Sequence, residues 1–343
     1  MASEAVSLEV ASPHGERSVR ISSPSRVLWP EQGITKLDLV NYIIAVGDAF
    51  VVANGNRPMS LERFPTGVGG EVFFSKNPPK GVPDFIRDVM VTYPSARKHP
   101  QLVVDEPAAA VWMVQMNTIV FHPWPSLADN IDNPNQLRID LDPQPGVDFS
   151  DAVPAAIALR EVLAEAGLEG WVKTSGNRGI HVFAPIEPTH EFVDVRHAVI
   201  AAARELERRM PKQVTTAWWK EERGERVFLD FNQAARDRTI AGAYSPRALA
   251  HAPVSTPVSW DELESVDPRE FTILTVPDRL KSGDPWHGMH DSPGTIDVLL
   301  EWWARDLENG LAEMPFPPDY PKMPGEPPRV QPSRARKPDP DAP

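Results

Sequence analysis

The chain has 343 residues, of which 41% are hydrophobic and 24% charged, and its formal net charge at pH 7 is −13. This length is enough to bury a substantial core, as one large domain or two intimate subdomains. The chain has no cysteine, which excludes a disulfide framework, a thiolate zinc site and a cysteine nucleophile. The negative charge argues against coating of nucleic acid by bulk charge, so a DNA contact would need a local basic face.

Membrane and secretion signals are missing from the sequence. No apolar run approaches the roughly 20 residues that span a bilayer. The N-terminal stretch lacks the basic-then-apolar order of a signal peptide. We therefore expect a soluble cytoplasmic protein, associated with the nucleoid if its partner is DNA.

The first part of the chain predicts strands, a helix and a surface hairpin. Residues up to about Val19 alternate weakly and predict one or two strands. Thr35 is suited to cap a helix. The apolar positions after it recur with a period of about 3.6, at Leu39, Tyr42, Ile43, Val46 and Phe50. Residues 57–85 are rich in Gly, Pro, Arg and Lys with paired aromatics, which is typical of a surface hairpin and loop.

The middle of the chain predicts buried strands separated by a capped helix. The run VWMVQMNTIVFHPW predicts a buried helix that leads into a short strand, and RIDLD predicts a strand between two turns. Ser150 or Asp151 can cap a helix that extends to about Ala166, with Gly167 at its C-terminal end. GWVKTSGNRGIHVFAPI then predicts a strand, a tight turn and a second strand.

The last part of the chain predicts two more helices and a strand. Residues 191–210 predict an amphipathic helix closed by Pro211, and RVFLDF predicts a strand. Ser259 and Glu262 form a capping box in SWDEL, and TIDVLLEWWARDL predicts a late helix.

This order mixes hairpins with crossovers, which predicts an α+β fold with a mainly antiparallel sheet. We expect a folded domain of two intimate subdomains over residues 1–314. Eleven of the 38 prolines fall in residues 315–343. That composition predicts a tail that cannot build a core of its own and is disordered or an extended docking segment.

Two aspartates on one predicted strand indicate a metal site. Asp140 and Asp142 are two residues apart, so their side chains share one face of the strand, while Ile139 and Leu141 face the core. Paired carboxylates repel each other unless a cation lies between them, and oxygen-only sites suit Mg²⁺ or Mn²⁺. Asp230, which ends RVFLD, supplies a third carboxylate if its strand lies beside the first. An isolated Asp-x-Asp is also common at a strand end with solvated acids.

The segment TSGNRGIH supplies chemistry that complements the acids. Gly176 and Gly179 allow a tight turn whose amides can bind phosphate oxygens, and Ser175, Arg178 and His181 add donors. By itself such a turn is usually only a hairpin. Beside an acidic metal site it predicts a triphosphate-binding turn.

Four other residues have an ordinary structural explanation on the sequence alone. His122 could be a histidine at the edge of the core, Arg247 a surface arginine, and Phe73 and Phe74 core residues.

Taken together, these segments resemble the archaeo-eukaryotic primase superfamily, and most of all the polymerase domain of bacterial ATP-dependent DNA ligase D and its stand-alone relatives. The resemblance covers roughly residues 20 to 250, with weaker similarity to about 310. The matching blocks, in chain order, are RVLWPEQGITK, RPMSLERFP, GEVFFSK, FHPW, RIDLDP, KTSGNRGIHVF, RVFLDFNQ and TIAGAYSPR. The resemblance implies a primase-polymerase core with an RRM-like antiparallel sheet flanked by helices, and a second N-terminal α/β subdomain.

The resemblance also implies roles for individual residues. The catalytic, metal-binding positions match Asp140, Asp142 and Asp230. The positions that bind the incoming nucleotide match His122, Ser175, Arg178, His181, Arg223, Gln233 and Arg247. The positions that hold a 5′-phosphate or the template strand match Arg26, Lys36, Arg63, Phe73, Phe74 and Lys76.

Two positions depart from the family pattern. Ser175-Gly176-Asn177-Arg178 stands where the family often has Ser-Gly-Ser-Lys, and arginine spreads the positive charge over a planar fork. Glu62 stands where a basic residue is common.

The activity implied is template-directed nucleotidyl transfer that extends primers and fills short gaps in DNA repair. The resemblance also implies two Mn²⁺ or Mg²⁺ ions, about 3.5–4 Å apart and bridged by Asp140 and Asp142. It further implies that the substrate is an NTP or a dNTP, so that ribonucleotides are accepted. Having no ligase or nuclease domain, the chain resembles the free-standing mycobacterial-type enzymes. Those are linked to gap filling in excision repair, to priming, and to end joining with separate ligases or Ku.

Alternatives from other classes are a catalytically weak module that binds DNA ends or a repair partner, and a nuclease or glycosyltransferase with an Asp-x-Asp site. Neither the nuclease nor the glycosyltransferase explains the phosphate turn together with the third carboxylate. The sequence leaves the choice between priming, gap filling and end joining open.

Overall fold

The structure, a computed structural model, describes residues 5–329. The helices are α1 (Lys36–Ala45), α2 (Gly47–Asn54), α3 (Pro107–Gln115), α4 (Phe149–Glu165), α5 (Phe192–Arg209), α6 (Lys220–Arg223), α7 (Val276–Leu280) and α8 (Asp297–Glu308). The strands are β1 (Val6–Val10), β2 (Arg17–Ile21), β3 (Val27–Trp29), β4 (Ile34–Thr35), β5 (Met59–Arg63), β6 (Phe73–Ser75), β7 (Asp88–Thr92), β8 (Lys98–Leu102), β9 (Thr118–Pro123), β10 (Gln136–Pro143), β11 (Trp171–Thr174), β12 (Ile180–Pro185), β13 (Val214–Thr215), β14 (Val227–Leu229) and β15 (Pro257–Val258).

A six-stranded sheet in the order β13-β14-β10-β12-β11-β15 forms the centre of the C-terminal half. Only β13 and β14 run parallel; the other neighbours are antiparallel. Helices α4 and α5 pack on this sheet. Along β10, Ile139 and Leu141 are fully buried, whereas Asp140 and Asp142 alternate with them and stay partly exposed. The predicted α+β class, the antiparallel sheet and the facing of the two aspartates are therefore confirmed.

The N-terminal half surrounds a three-stranded sheet in the order β6-β5-β9. Strands β1 with β2, β3 with β4, and β7 with β8 form three separate two-stranded pairs. One hydrophobic core runs through both halves, so that Phe50, Phe121 and Leu141 belong to the same cluster. The predicted hairpin within residues 57–85 is β5 and β6, in which Arg63 lies opposite Phe73.

The predicted helix after Thr35 is two helices. Thr35 caps α1 as expected, in a capping box with Asp38. The chain then bends by 70° between α1 and α2. Gly47 begins α2 so close to α3 that a Cβ on it would lie 2.8 Å from Cβ of Pro107. A periodic apolar pattern carries no information about this close approach, which only the tertiary structure sets.

Two predicted helix caps are wrong. The cap of α4 is Asp148, in a capping box with Asp151. Asp148 lies two residues before the first expected cap, Ser150, and its side chain accepts a hydrogen bond from a free amide of the first helical turn. Ser259 and Glu262 begin no helix, and the chain makes turns from Trp260 to Ser265. The amide of Ser265 donates to the carbonyl of Glu262, three residues back, at 2.9 Å, as in a tight turn and not as in an α-helix.

The first half of the Pro-rich segment packs against the domain. Phe316 is 1% exposed, and the guanidinium of the fully buried Arg196 lies 3.8 Å from its ring centroid. Arg196 also donates to the carbonyls of Met314 and Pro315, each at 3.0 Å. The described part of the segment, to residue 329, therefore packs on the domain through Phe316, and the expected domain boundary at residue 314 stays a prediction. Residues 330–343 lie outside the described residues.

Within residues 5–329, no single helix combines the length and hydropathy needed to cross a membrane. The bent pair α1 and α2 meets that test only when the two are taken together.

Candidate active site

Three carboxylates lie together on two neighbouring strands. Asp140 and Asp142 lie on β10, which pairs with β14 so that Asp142 lies opposite Phe228. Asp230 directly follows β14, and its backbone amide donates to the carbonyl of Asp140 at 3.0 Å. The predicted condition for a third carboxylate, that its strand lies beside the first, is met.

The acids destabilise one another's charges. Burial, Asp230 and Asp142, in that order, raise the pKa of Asp140 to about 8. Burial also raises the pKa of Asp230, opposed by hydrogen bonds from Gln233 and from the amide of Asn232. Buried carboxylates that repel each other in this way favour a bound cation.

Within residues 5–329, no group of three or more histidine, aspartate or glutamate side chains has the spacing of a ready-made metal site. The three aspartates are thus neighbours in the sheet, but their side chains are not arranged as a complete metal-binding site.

The hairpin between β11 and β12 places the predicted phosphate turn beside the acids. Ser175 Oγ accepts hydrogen bonds from the amides of Asn177 (3.2 Å) and Gly179 (3.0 Å). Gly176 has φ +72°, and a Cβ on it would lie 2.6 Å from Cγ of Arg247. Arg178 is exposed. The turn therefore needs glycine at Gly176. Its hydroxyl satisfies two of its own amides, while Arg178 is the exposed side chain at the end of the hairpin.

His181 connects this turn to the acids. It lies opposite Asp140 on the neighbouring strand, and its Nε2 is 3.4 Å from Asp140 Oδ1. Burial, followed by the charges of Lys173 and Arg247, lowers its pKa well below the usual range. The ring is therefore neutral at physiological pH.

A second histidine approaches from the N-terminal half. His122 Nε2 is 2.7 Å from Glu62 Oε1, while its Nδ1 is buried without a hydrogen-bond partner. Its pKa is lowered by burial, which outweighs the opposing effect of Glu62. Arg247 donates to the carbonyl of Ser175 at 2.9 Å. Glu62 thus lies next to the candidate active site, at a position where the resemblance makes a basic residue common.

One cleft of about 250 Å³ collects most of the predicted nucleotide-binding residues. Its lining includes the predicted residues His122, Asp140, Asp142, Ser175, Arg178, His181, Gln233 and Arg247.

Asp230 and Arg223 lie just behind that lining. Gln233 Nε2 donates to Asp230 Oδ2 at 3.1 Å, and Gln144 Nε2 donates to Asp142 Oδ2 at 3.0 Å. Arg223 donates to the other end of the Gln144 amide at 3.4 Å, and its guanidinium lies 3.4 Å from the ring centroid of Phe228. In this structure Arg223 therefore supports the acids rather than lining the cleft.

Three predicted DNA contacts gather at the C-terminal end of α3. Lys36 Nζ donates to the carbonyl of Gln115 at 3.1 Å, and Arg63 donates to that of Met116 at 2.7 Å. Arg26 donates to Asn117 Oδ1 at 3.5 Å. Over residues 5–329 none of these three cations forms an ion pair within 4 Å.

Burial first, and then Arg26, lower the pKa of Lys36 to about 8. Lys36 is only 2% exposed, so it contributes positive charge from beneath the surface, whereas Arg26 is exposed. Cations that crowd each other without an acidic neighbour favour a bound anion.

The remaining predicted DNA contacts divide into two kinds. Phe73 and Phe74 are 47% and 57% exposed, so the core explanation for them is wrong. The ring of Phe74 lies 5.5 Å from that of His122, at the mouth of the cleft. Lys76 already forms an ion pair with Asp237 at 2.8 Å, so its charge is matched inside the protein.

Sequence reasoning missed Lys173, which is fully buried directly behind His181. A signal was available, because a hairpin through TSGNRG places Lys173 opposite His181 on the same face of the sheet. Gln144 donates a hydrogen bond to Asp142, and the Asn232 amide donates one to Asp230. Nothing in the sequence except closeness to these aspartates could have identified the two residues.

An antiparallel sheet that carries clustered carboxylates beside a phosphate-type turn defines a nucleotide-handling domain. A family model described as "LigD, primase-polymerase domain" matches residues 35–286, and the chain belongs to this family.

Relatives and a solved structure agree with this assignment. The multifunctional non-homologous end joining protein LigD of Pseudomonas aeruginosa is 32% identical over 306 residues, which is 88% of this chain and 36% of that protein. The bifunctional non-homologous end joining protein LigD of Bacillus subtilis is 30% identical over 279 residues, covering 80% of this chain and 44% of that protein. The chain thus spans less than half the length of these relatives.

The polymerase domain of Mycobacterium tuberculosis ligase D, solved in complex with DNA, has a similar structure. It matches with a TM-score of 0.73 and 27% identity, over 80% of this chain and 99% of that one.

Proposed function

We propose that this protein is a template-directed nucleotidyltransferase, a primase-polymerase that extends primers and fills short gaps during DNA repair. The observation that carries the proposal is the placement of Asp140 and Asp142 beside the Ser175–Gly179 turn in one cleft, with Asp230 on the neighbouring chain segment just behind its lining. Family membership supports the same chemistry. A bare DNA-end-binding module would have no use for buried carboxylates that raise one another's pKa.

The donor set fits divalent metal ions by its chemistry. The carboxylates offer only hard oxygen ligands, and their mutual repulsion, together with burial, raises the pKa of Asp140 to about 8. Asp140 and Asp142 would hold the ions, with Asp230 as the third carboxylate. When bound, such ions lower the pKa of a hydroxyl nucleophile and neutralise phosphate charge.

The residues of the phosphate turn would bind the nucleotide. Ser175 Oγ accepts from the Asn177 and Gly179 amides and so fixes the shape of the turn, and Arg178 is exposed beside it. Arg178 and Arg247 would supply positive charge to the phosphates, since cationic side chains stabilise charge in phosphoryl transfer. The hydrogen bonds from Gln144 and Gln233 fix the orientation of the two acids at the far wall.

The cation cluster of Arg26, Lys36 and Arg63 would hold the 5′-phosphate on the far side of a gap. Three cations without an acidic partner lie within reach of one another at the end of α3. The exposed pair Phe73 and Phe74 would stack on bases of the template strand near the cleft. Such stacking needs no particular base, because every base has a flat π face.

On the strength of family membership we extend the proposal to DNA ends or gaps as substrates, with Mn²⁺ and ribonucleotides accepted. The relatives are non-homologous end joining proteins, and we propose that this chain serves the same kind of repair, with a ligase or Ku as partners.

The proposal is tested with labelled nucleotide on three substrates: a primer-free template, a short gap and a pair of overhangs, with each of the four NTPs and dNTPs in turn. We expect addition of the complementary nucleotide, with ATP used as readily as dATP opposite thymine. DNA binding without any addition in Mn²⁺ or Mg²⁺ would instead favour the DNA-end-binding module.

A further inference from the structure

Residues 313–329, which we call the C-terminal brace, fold back onto the part of the chain that carries Asp230. The brace lies beyond residue 286, where the match to the family model ends. It contacts helix α5 and the 3₁₀ turn Phe231–Ala234, which begins directly after Asp230. The brace thus reaches the turn beside the third carboxylate from outside the matched part of the chain.

The 3₁₀ turn fixes the carboxylate of Asp230 at both oxygens. Oδ1 accepts a hydrogen bond from the backbone amide of Asn232 at 3.1 Å, and Oδ2 accepts one from Nε2 of Gln233 at 3.1 Å. Since both donors belong to the turn, the direction in which the carboxylate points follows the position of the turn.

The side chain of Asn232 ties the turn to its surroundings at two points. Its Oδ1 accepts from Nε of Arg196 at 2.9 Å, and its Nδ2 donates to the carbonyl of Pro315 in the brace at 3.0 Å. Asn232 is buried, so loss of either partner would leave a polar group without its hydrogen bond.

Arg196 depends on the brace for most of its hydrogen bonds. It is fully buried, and it donates to Oε1 of Glu313 at 2.9 Å and to the carbonyls of Met314 and Pro315, each at 3.0 Å. Over residues 5–329, Glu313 is the one acid within 4 Å of its guanidinium. Removing the partner of a buried charge is strongly destabilising. Arg196 therefore keeps its contact with Asn232 only while the brace is docked.

The brace also holds the chain on both sides of the turn. Before the turn, Nε1 of Trp218 donates to the carbonyl of Arg329 at 2.9 Å. After the turn, the hydroxyl of Tyr320 donates to the carbonyl of Arg236 at 2.8 Å. These contacts restrict the turn for as long as the brace stays in place.

We propose that residues 313–329 are part of the catalytic unit, and that Asn232 is a positioning residue that transmits the docking of the brace to Asp230. This role rests on the proposed function and deepens it. Asn232 does not line the cleft, and it acts only through the orientation of Asp230. Without the docked brace, the turn and its carboxylate are free to move away from Asp140 and Asp142.

The direct test is the affinity of the full chain for Mn²⁺ without nucleotide, measured from the signal of free Mn²⁺ in electron paramagnetic resonance. Asn232→Ala keeps the backbone amide that bonds to Asp230 and removes only the two side-chain ties. We expect its Kd for Mn²⁺ to rise about tenfold, as for loss of an outer partner of a metal ligand. Asp230→Asn gives the size of the effect when the third carboxylate itself is lost.

Arg204→Met is the matched control for general loosening of the structure. Like Arg196, Arg204 is a buried arginine on α5, and it donates to the carbonyl of Ala312, directly before the brace, at 2.6 Å. That hydrogen bond does not involve the turn. We therefore expect Arg204→Met to be less stable than wild type and yet to bind Mn²⁺ with wild-type affinity.

The wild-type chain alone provides a second readout. If the docked brace favours metal binding, bound metal must favour the docked brace by the same factor. The backbone amides of Phe316 and Met323 each donate to Glu326 at 3.0 Å, so their hydrogen exchange reports the docking. Saturating Mg²⁺ should slow exchange at these amides more than in the β1–β2 hairpin.

Three results would overturn the proposal: wild-type Mn²⁺ affinity in Asn232→Ala, an equal loss of affinity in Arg204→Met, and exchange in the brace that does not respond to Mg²⁺. If Asn232→Ala does not fold, hydrogen exchange of the wild-type chain decides. A wild-type chain that binds Mn²⁺ but adds no nucleotide refutes the proposed function, yet the Mn²⁺ titrations still decide the role of Asn232. A wild-type chain that binds no Mn²⁺ contradicts both.

Discussion

Replacement of Asp140 by asparagine should stabilise the protein in the absence of metal while removing its activity. Burial and the neighbouring acids raise the pKa of Asp140 from 3.8 to about 8. Asparagine has nearly the same shape and no charge to repel Asp142 and Asp230. The variant therefore removes an electrostatic penalty that the wild-type chain carries in order to bind cations.

The magnitude follows from the linkage between pKa and stability. At about 1.4 kcal/mol per pKa unit, this rise corresponds to an upper limit of about 6 kcal/mol above pH 8. The three acids share the penalty and asparagine remains a buried polar group, so we expect a gain of about 2 kcal/mol in the free energy of unfolding at pH 8.

The sign of the pH dependence is a further check. Between pH 4 and pH 8 the folded chain keeps a proton on Asp140 that the unfolded chain has lost, so the wild-type stability from this group falls as pH rises. The difference between Asp140→Asn and wild type should therefore be near zero at pH 4 and largest at pH 8.

The assay is urea unfolding at several pH values with EDTA present, with Asp88→Asn as an exposed control. Added Mn²⁺ should stabilise the wild type more than the variant. An asparagine variant that is less stable than wild type at pH 8, or a difference that does not change with pH, would refute the electrostatic reasoning.

Two further predictions concern the DNA-binding face and the C-terminal segment. Because the pKa of Lys36 is lowered to about 8, the preference for a gap with a 5′-phosphate over one without should fall about tenfold between pH 7 and pH 9. Fluorescence anisotropy measures it, and a preference that is constant with pH, or that survives unchanged in Lys36→Met, would remove Lys36 from the site. Phe316→Ala should lower the free energy of unfolding by about 3–5 kcal/mol, since it empties a buried site against Arg196. Urea denaturation measures it against the exposed control Phe74→Ala, and a loss under about 1 kcal/mol would contradict the packing account.

The sequence predicted the catalytic strand well because one physical rule governed it. Alternation on β10 sends Ile139 and Leu141 inward and leaves Asp140 and Asp142 outward, and no tertiary knowledge is needed to state that. The turn at Ser175 is similarly local, since its glycines and hydroxyl satisfy its own amides.

What the sequence could not predict depends on contacts between distant segments. The break between α1 and α2 is set by the approach of Pro107 to Gly47. The packing of Phe316 depends on Arg196, more than a hundred residues away, so a proline-rich composition could not predict it. The ion pair of Lys76 with Asp237 is equally invisible in the sequence.

The adjacency of Asp230 to Asp140 lies between these two cases. Each residue ends or occupies a predicted strand, but only the pairing of β10 with β14 brings them together. Family resemblance supplied that pairing, which composition and periodicity do not contain.

The central claim is that these carboxylates direct nucleotide addition. Its most direct test is single-nucleotide extension of a labelled primer on a one-nucleotide gap in Mn²⁺, comparing wild type with Asp142→Ala and the surface control Asp88→Asn. We expect wild type and control to add the nucleotide complementary to the template, and Asp142→Ala to add none while it binds the gap with similar affinity. Extension by Asp142→Ala at the wild-type rate, or wild-type addition that ignores the template base, would contradict the account.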